Sequence, residues 1–253
     1  MQDNNKKAVQ ASPSSSRQNS IVNENSGFYV KEAYKTIRTN LMFLLSKAGC
    51  KKIIVTSATP KEGKSTTTLN VAITTAQTGA KVLVIDADLR KPTIHRYLGV
   101  SIKMGLSNVL GGFTDVQSVI KNTQYDNLDV ITAGSLPPNP SELFVSERMG
   151  EMLDVLSEHY DYIFIDTPPV TIVTDASILS KVVDGVILVV RQNVTTTVFL
   201  DKAVEALEFV QANIMGVIFN DVNTDRDNYK YRYRNSAGKY KYGYNSYYND
   251  DLQ

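Results

Sequence analysis

Apolar positions along the chain follow two spacings, one that predicts strands and one that predicts helices. Short apolar runs, many of them rich in Val and Ile, predict six strands, at residues 53–55, 82–85, 128–133, 162–165, 185–190 and 214–219. Helical spacing predicts helices at residues 28–47, 65–78, 142–159 and 195–210, with a short helix opening at Thr174. Because strands and helices alternate, we predict an α/β fold with a mostly parallel central sheet and helices on both faces. Asn139 or Ser141 is expected to cap the helix over 142–159.

The helix over residues 28–47 carries charge along one side. Its apolar residues recur at helical spacing, while Glu32, Lys35 and Arg38 fall three apart on one face. Two interpretations stay open. Either the helix covers the sheet and its charged face is solvated, or the three charged residues form a contact with another subunit.

Composition divides the chain into three parts. Residues 1–26 are rich in Ser and Asn and offer little apolar surface beyond Ile21 and Val22, so we expect a disordered or extended N-terminal arm. Residues 27–224 contain all the predicted strands and helices and form the folded domain. Residues 225–253 change abruptly to a tyrosine-rich composition and are expected to form a flexible tail.

A phosphate-binding loop is predicted where the first strand gives way to a helix. Its residues are Ala58, Thr59, Pro60, Lys61, Glu62, Gly63, Lys64, Ser65 and Thr66. They match the pattern G-x-x-x-x-G-K-[ST], except that Ala58 replaces the first glycine. Backbone N–H groups at the start of the helix can bind phosphate oxygens, and Gly63 lets the backbone approach them closely. Lys64 can reach the β- and γ-phosphates, and the Ser65 hydroxyl can ligate Mg²⁺.

Three carboxylates follow apolar runs, at the edge where parallel sheets bind their ligands. These are Asp86 and Asp88 after one run and Asp166 after another. Two carboxylates beside a triphosphate would repel it unless a metal ion lay between them, which favours a metal role over a solvated strand end. We predict Mg²⁺ binding through Ser65, Asp86 and Asp166, the last through a metal-bound water or the loop serine. Asn220 ends the last strand, where its amide either faces an adenine edge or belongs to a turn.

Bulk composition excludes several classes of protein. The chain has 253 residues, of which 42% are hydrophobic, enough for one sizeable α/β domain. One Cys and two His exclude a disulfide framework, disfavour a structural zinc site and fit a reducing cytoplasm. The net charge of +1 gives no overall attraction to nucleic acid or acidic lipid, so a partner of that kind would have to be recognised by a local segment, and no nucleic-acid partner is predicted. The longest apolar run, 185–190, is far shorter than the roughly 18–20 residues that span a bilayer, and the N-terminus lacks the apolar segment of a signal peptide.

The tail concentrates eight of the chain's 14 tyrosines. They are Tyr229, Tyr231, Tyr233, Tyr240, Tyr242, Tyr244, Tyr247 and Tyr248. Basic residues alternate with several of them, so the tail could stack on nucleic acid, form an adhesive strand or accept phosphates. Six basic and four acidic side chains from residue 225 on give it a charge of +2. Eight phosphates would add roughly −12 to −16, enough to switch an electrostatic contact off.

Taken together, these motifs resemble the bacterial tyrosine kinases of capsule and exopolysaccharide synthesis. The resemblance rests on the phosphate loop, on Asp-Ala-Asp-Leu-Arg-Lys-Pro at 86–92, on Leu-Pro-Pro-Asn-Pro-Ser-Glu-Leu at 136–143, on Ile-Asp-Thr-Pro-Pro at 165–169 and on the tyrosine-rich end. It implies the phosphate-loop NTPase architecture shared with MinD/ParA-type ATPases, with Walker A, A′ and B motifs at 58–65, 82–88 and 162–166. The family's Glu-x-x-Arg-x-x-Arg motif for ring assembly resembles Glu32 to Arg38, with Lys35 in place of the middle arginine.

The resemblance also implies partners and a location. In such systems a cytoplasmic kinase that uses ATP and Mg²⁺ is activated by the intracellular end of a separate transmembrane protein of the polysaccharide co-polymerase type. That partner would recruit the kinase to the inner face of the cell membrane. Neighbouring subunits of the ring would phosphorylate each other's tail tyrosines, and a tyrosine phosphatase would reverse the modification.

The predicted catalytic residues are Lys64, Asp86, Asp88 and Asp166. In this hypothesis Lys64 and Mg²⁺ neutralise the γ-phosphoryl group, and either Asp86 or Asp88 orients a tail tyrosine of another subunit and accepts its proton. The main alternative is a partitioning or cell-division ATPase that hydrolyses ATP without phosphorylating protein. Many of those have a second lysine where this chain has Thr59. A non-catalytic scaffold whose tail binds nucleic acid or polymer is the third possibility.

Overall fold

The computed structural model of the protein describes residues 20–222. In this part of the chain seven strands form one sheet: β1 (Lys51–Ser57), β2 (Val82–Asp86), β3 (Ile120–Asn122), β4 (Leu128–Ile131), β5 (Tyr162–Asp166), β6 (Gly185–Arg191) and β7 (Ile214–Asn220). Over the same residues run the helices α1 (Phe28–Leu44), α2 (Lys64–Ala76), α3 (Ile94–Leu98), α4 (Leu106–Leu110), α5 (Pro140–Val145), α6 (Glu147–Ser157), α7 (Asp175–Leu179) and α8 (Thr197–Phe209). Short 3₁₀ helices occupy Val116–Val119 and Ser180–Val182.

The sheet confirms the predicted fold class. Its strand order is β3-β4-β2-β5-β1-β6-β7, and every neighbouring pair is parallel except β3 with β4. The six predicted strands are all present. The antiparallel edge strand β3 was not predicted, because its three residues carry no continuous apolar run.

Side chains of the sheet alternate between two apolar cores, as the two-residue period of a strand requires. Ile53 and Phe164 pack with residues of α1 and α2 in one core. Ile54 and Ile163 pack with residues of α6 and α8 in the other. Because both faces are covered, the central strands are continuous apolar sequences with polar residues at their ends.

The predicted helix over 142–159 is two helices in the structure. Ser146 separates α5 from α6 with an extended backbone, φ −66° and ψ 146°. Its hydroxyl donates to the Leu143 carbonyl at 2.6 Å, a local bond that competes with the helical ladder. Asn139 stands at the N-cap position of α5 but makes no capping bond with its side chain, and the Ser141 hydroxyl donates to Asp175 instead.

The N-terminal segment departs from the expectation of an arm over residues 1–26. Ile21 and Val22 are buried, with 2% and 4% exposure. Asn70 of α2 holds this segment, because its Oδ1 accepts from the Val22 N–H at 2.8 Å and its Nδ2 donates to the Ser20 carbonyl at 3.3 Å. Residues 20–22 therefore pack on the domain, while residues 1–19 lie outside the described part of the chain.

Across residues 20–222, none of the helices combines the length and apolarity needed to cross a membrane.

Candidate functional site

The predicted phosphate loop connects the end of β1 to the start of α2. Gly63 precedes the helix with φ +86°, a left-handed conformation that residues with a Cβ adopt only at a cost. A Cβ at this position would also lie 2.0 Å from Nδ2 of Asn220. Position 63 therefore requires glycine for two reasons: the left-handed backbone conformation and the close approach of the Asn220 side chain.

The first residues of α2 meet the ends of β2 and β5. Nζ of Lys64 lies 3.2 Å from Oδ1 of Asp166 and 3.4 Å from Oδ2 of Asp88. The Ser65 hydroxyl donates to Oδ2 of Asp166 at 2.5 Å. Asp86 and Asp166 are paired in the register of the two strands. The structure thus brings together all four predicted catalytic residues and the predicted metal ligand Ser65.

Asp86 is held by the backbone that follows it. Its Oδ2 accepts from the N–H groups of Thr93 and Ile94, at 3.1 and 3.0 Å, and its Oδ1 accepts from the Asp88 N–H at 3.3 Å. The carboxyl group has no exposed surface. Asp86 therefore shapes the loop between β2 and α3, a structural role that the sequence did not predict.

Three carboxyl groups surround one ammonium group, and the pKa values of Asp86, Asp166 and Lys64 are shifted. Burial and the neighbouring carboxylate of Asp166 raise the pKa of Asp86 to about 8, although Lys64 acts in the opposite direction. Burial also raises the pKa of Asp166, against the effects of Lys64 and Ser65. Burial alone would lower the pKa of Lys64, but the carboxylates of Asp166, Asp88 and Asp86 outweigh it and raise that pKa. Lys64 therefore stays charged at neutral pH.

The residues around Ser65 fit a magnesium ion chemically. Ser65, Asp86 and Asp166 offer only oxygen donors, which Mg²⁺ prefers, and the excess of carboxyl over ammonium groups favours another cation. Mg²⁺ usually takes only one or two protein ligands beside water and phosphate oxygens. This is consistent with the absence, among residues 20–222, of a cluster of three His, Cys, Asp or Glu side chains arranged to hold a metal ion.

A second group of side chains braces the loop from its other side. Glu62 is buried, and its Oε1 accepts from the hydroxyls of Thr59 at 2.7 Å and Thr195 at 2.5 Å. Nδ2 of Asn220 donates to the Glu62 carbonyl at 2.9 Å. The amide that was predicted to face adenine or a turn is thus bonded to the loop backbone. The bond from Thr195 to Glu62 was not predicted, because Thr195 was assigned only as the first residue of the helix over 195–210.

The three predicted subunit-contact residues on α1 make different contacts within the subunit. Lys35 forms an exposed ion pair with Glu32, with 2.7 Å between Nζ and Oε1. Arg38 is half-buried and donates from Nη1 to the Thr74 carbonyl of α2 at 3.0 Å. This hydrogen bond of Arg38 therefore links α1 to α2 within the subunit. The eight predicted phosphoacceptor tyrosines lie outside the described residues.

The doubly wound sheet, the loop before α2 and the lysine among carboxylates define a phosphate-loop nucleotide-binding protein. A family profile described as an AAA domain matches residues 35–218. The septum site-determining protein MinD from Pyrococcus horikoshii, solved with Mg-ADP, is similar in structure, with a TM-score of 0.58 and 25% identity over 67% of this chain and 70% of that one. This similarity confirms the predicted kinship with MinD-type architecture.

Closer similarity is found to kinases. The chain is 42% identical over 189 residues to the tyrosine-protein kinase YwqD of Bacillus subtilis, covering 75% of this chain and 80% of the relative. The kinase domain of the Escherichia coli tyrosine kinase Etk superposes with a TM-score of 0.74 at 36% identity, covering 85% and 80% of the two chains. The chain belongs to the family of bacterial tyrosine-protein kinases, as its motifs predicted.

Proposed function

We propose that the protein transfers the γ-phosphoryl group of ATP to the tyrosines of its own C-terminal cluster, between subunits, and thereby regulates capsule or exopolysaccharide synthesis. The observation that supports this most directly is the position of Lys64. Its ammonium group lies between the carboxylates of Asp166 and Asp88 at the start of α2. A phosphate loop presents its lysine to the β- and γ-phosphates from this position.

The residues of the site divide the work of phosphoryl transfer between them. Backbone N–H groups of residues 58–66, Pro60 excepted, bind the phosphates, and Lys64 neutralises charge that develops on the transferred group. Mg²⁺, when bound, supplies further neutralisation of the phosphate oxygens. Ser65 and Asp166 hold it, with Asp86 beside them. Transfer through a loose transition state depends mainly on this positioning and neutralisation, and makes only a weak demand on a base.

Asp88 suits the role of base better than Asp86. Both oxygens of Asp86 accept backbone hydrogen bonds, and the side chain has no exposed surface. Asp88 retains 7% exposure, and its Oδ2 faces Lys64 without a backbone donor. An incoming hydroxyl can therefore approach Asp88 but not Asp86. We assign to Asp88 the orientation of the tyrosine and the acceptance of its proton.

The acceptors in this proposal are the eight tail tyrosines, from Tyr229 to Tyr248. Reaction between copies requires an oligomer, for which a ring with contacts near Glu32, Lys35 and Arg38 is the arrangement implied by the family motif. A separate transmembrane protein of the polysaccharide co-polymerase type would activate the kinase and recruit it from the cytoplasm to the membrane. A tyrosine phosphatase would return the tail to its unmodified charge.

The test is a phosphotyrosine assay on purified protein incubated with Mg·ATP, with mass spectrometry to locate the label. Lys64→Met is expected to abolish tail phosphotyrosine while circular dichroism stays native. Lys103→Met, the same change at an exposed lysine, is the matched control. Retained label in Lys64→Met contradicts the assignment.

The same assay separates the alternatives when it is repeated without residues 225–253. Label that disappears with these 29 residues supports tail phosphorylation. Free phosphate without label indicates an ATPase switch of the MinD type, and neither product indicates a scaffold.

A further inference from the structure

Three side chains outside the catalytic cluster form a charged network that joins one loop to the first turns of two helices. Arg90 lies in the loop after β2, Ser141 in the first turn of α5, and Asp175 at the start of α7 after β5. The guanidinium donates to Asp175 with both Nε, 3.2 Å from Oδ2, and Nη2, 3.3 Å from Oδ1. Nη2 also donates to the Ser141 hydroxyl at 2.9 Å, and that hydroxyl donates to Oδ1 of Asp175 at 2.7 Å.

The network depends on Arg90 because of where Asp175 lies. The Asp175 side chain has no exposed surface, whereas the Arg90 side chain is 37% exposed. A carboxylate without contact to water needs charged or polar partners, and removing one of them leaves an unpaired buried charge. The forked geometry of arginine matches both carboxylate oxygens, so the two hydrogen bonds fix the orientation of the Arg90 guanidinium as well as its position.

Arg90 follows Asp88 of the catalytic cluster by two positions in the same loop. The Lys91 N–H donates to Oδ1 of Asp88 at 2.9 Å, while Oδ2 of Asp88 lies 3.4 Å from Nζ of Lys64. This loop is held at two points: Oδ2 of Asp86 accepts from the Ile94 N–H at its far end, and the Arg90 side chain bonds to Asp175 near its middle. Asp88 lies between Asp86 and Arg90 along the chain, so the bond between Arg90 and Asp175 restrains one flank of the segment that carries Asp88.

We propose that Arg90, Ser141 and Asp175 form a positioning clamp that holds Asp88 in the geometry required for phosphoryl transfer. The clamp residues act on the reaction only through Asp88 and do not touch the nucleotide. This inference rests on the role assigned to Asp88 above. It predicts that loss of the clamp lowers kcat and leaves nucleotide affinity nearly unchanged.

The experiment measures kcat and the KM for ATP of phosphotyrosine formation in the full chain. Arg90→Ala is expected to lower kcat by about 10- to 100-fold, the cost of displacing a catalytic group by about 1 Å, with a KM change below about threefold. Added guanidinium at millimolar concentration should restore part of kcat. Arg96→Ala, an exposed arginine on the neighbouring α3, is the matched control and should behave as wild type.

A double-mutant cycle separates positioning from general stability. In an Asp88→Asn background, Arg90→Ala should lower kcat by less than about twofold, because the group on which it acts is already lost. An equal loss in both backgrounds overturns the proposal, as does a rise in KM at constant kcat. If Arg90→Ala does not fold, the same kcat and KM measurements are made on Arg90→Lys and Ser141→Ala. Each of these weakens the network without leaving Asp175 unpaired.

The two proposals fail separately. A wild-type kcat in Arg90→Ala, together with no label in Lys64→Met, refutes the clamp and leaves the catalytic site standing. Label in Lys64→Met refutes the site itself.

Discussion

Asp86→Asn should make the stability of the nucleotide-free protein less sensitive to pH. The pKa of Asp86 is raised to about 8 in the folded protein by burial and by Asp166, whereas an aspartate in an unfolded chain has a pKa of about 3.9. Between these values the native state holds a proton that the unfolded state has lost. Stability from this source is therefore complete below about pH 4 and is lost as the pH rises toward 8.

The size of the effect follows from the width of this interval. Each pH unit within it lowers the free energy of unfolding by up to about 1.4 kcal/mol, so Asp86 should contribute a loss of up to about 3 kcal/mol between pH 5 and pH 7. An asparagine resembles the protonated acid and does not titrate. Asp86→Asn should remove most of this slope while leaving other contributions in place.

Urea unfolding at pH 5, 6, 7 and 8 measures the slope directly. Asp154→Asn is the matched control, because that carboxylate is 78% exposed and its removal should leave the slope as in the wild type. If the wild type loses no more stability than Asp86→Asn between pH 5 and pH 7, Asp86 is not protonated in the folded protein and the electrostatic reasoning is wrong. A slope that persists in Asp86→Asn would place the titrating group elsewhere.

Substitutions at three further positions test the loop and the N-terminal segment. Gly63→Ala should strain the backbone by roughly 1–2 kcal/mol and collide with Asn220; titration with a fluorescent ATP analogue should show weakening of about tenfold or more. Asn70→Ala leaves the Val22 N–H without its acceptor and should cost about 1–3 kcal/mol, with faster amide exchange at residues 20–26; unchanged exchange would contradict this. Glu62→Gln should be nearly neutral in thermal unfolding, because Oε2 of Glu62 is buried without a hydrogen-bond partner among the described residues, whereas Glu62→Ala should lower the melting temperature.

The sequence predicted the parts of the fold that depend on local pattern. Continuous apolar runs identified six strands, and the residues at their ends identified Lys64, Asp86 and Asp166 as neighbours, because parallel strands end at one edge of the sheet. The break at Ser146 was not predicted, since the helical spacing of apolar residues continues through it. At the break the Ser146 hydroxyl bonds to the Leu143 carbonyl, a local contact that a pattern of residue types does not encode.

Contacts between distant segments were the second kind of feature that the sequence did not provide. Val22 is buried because Asn70, 48 residues away, accepts from its N–H. Arg90 was noticed as part of a motif, but its partner Asp175 lies 85 residues further along the chain. Such pairs depend on how the loops meet after folding, so composition and spacing alone give no sign of them.

The pairing of Asp86 with Asp166 has a consequence for protein engineering. Ile85 and Ile165 stand opposite each other just before this pair, and the match continues back through the whole of both strands. One residue inserted into either β2 or β5 would turn every later side chain of that strand toward the other layer of helices. The two strands must therefore be transplanted as a unit of equal length if the site is to be grafted into another scaffold, and the loop after β2 must be kept at its native length because it carries Asp88 and Arg90.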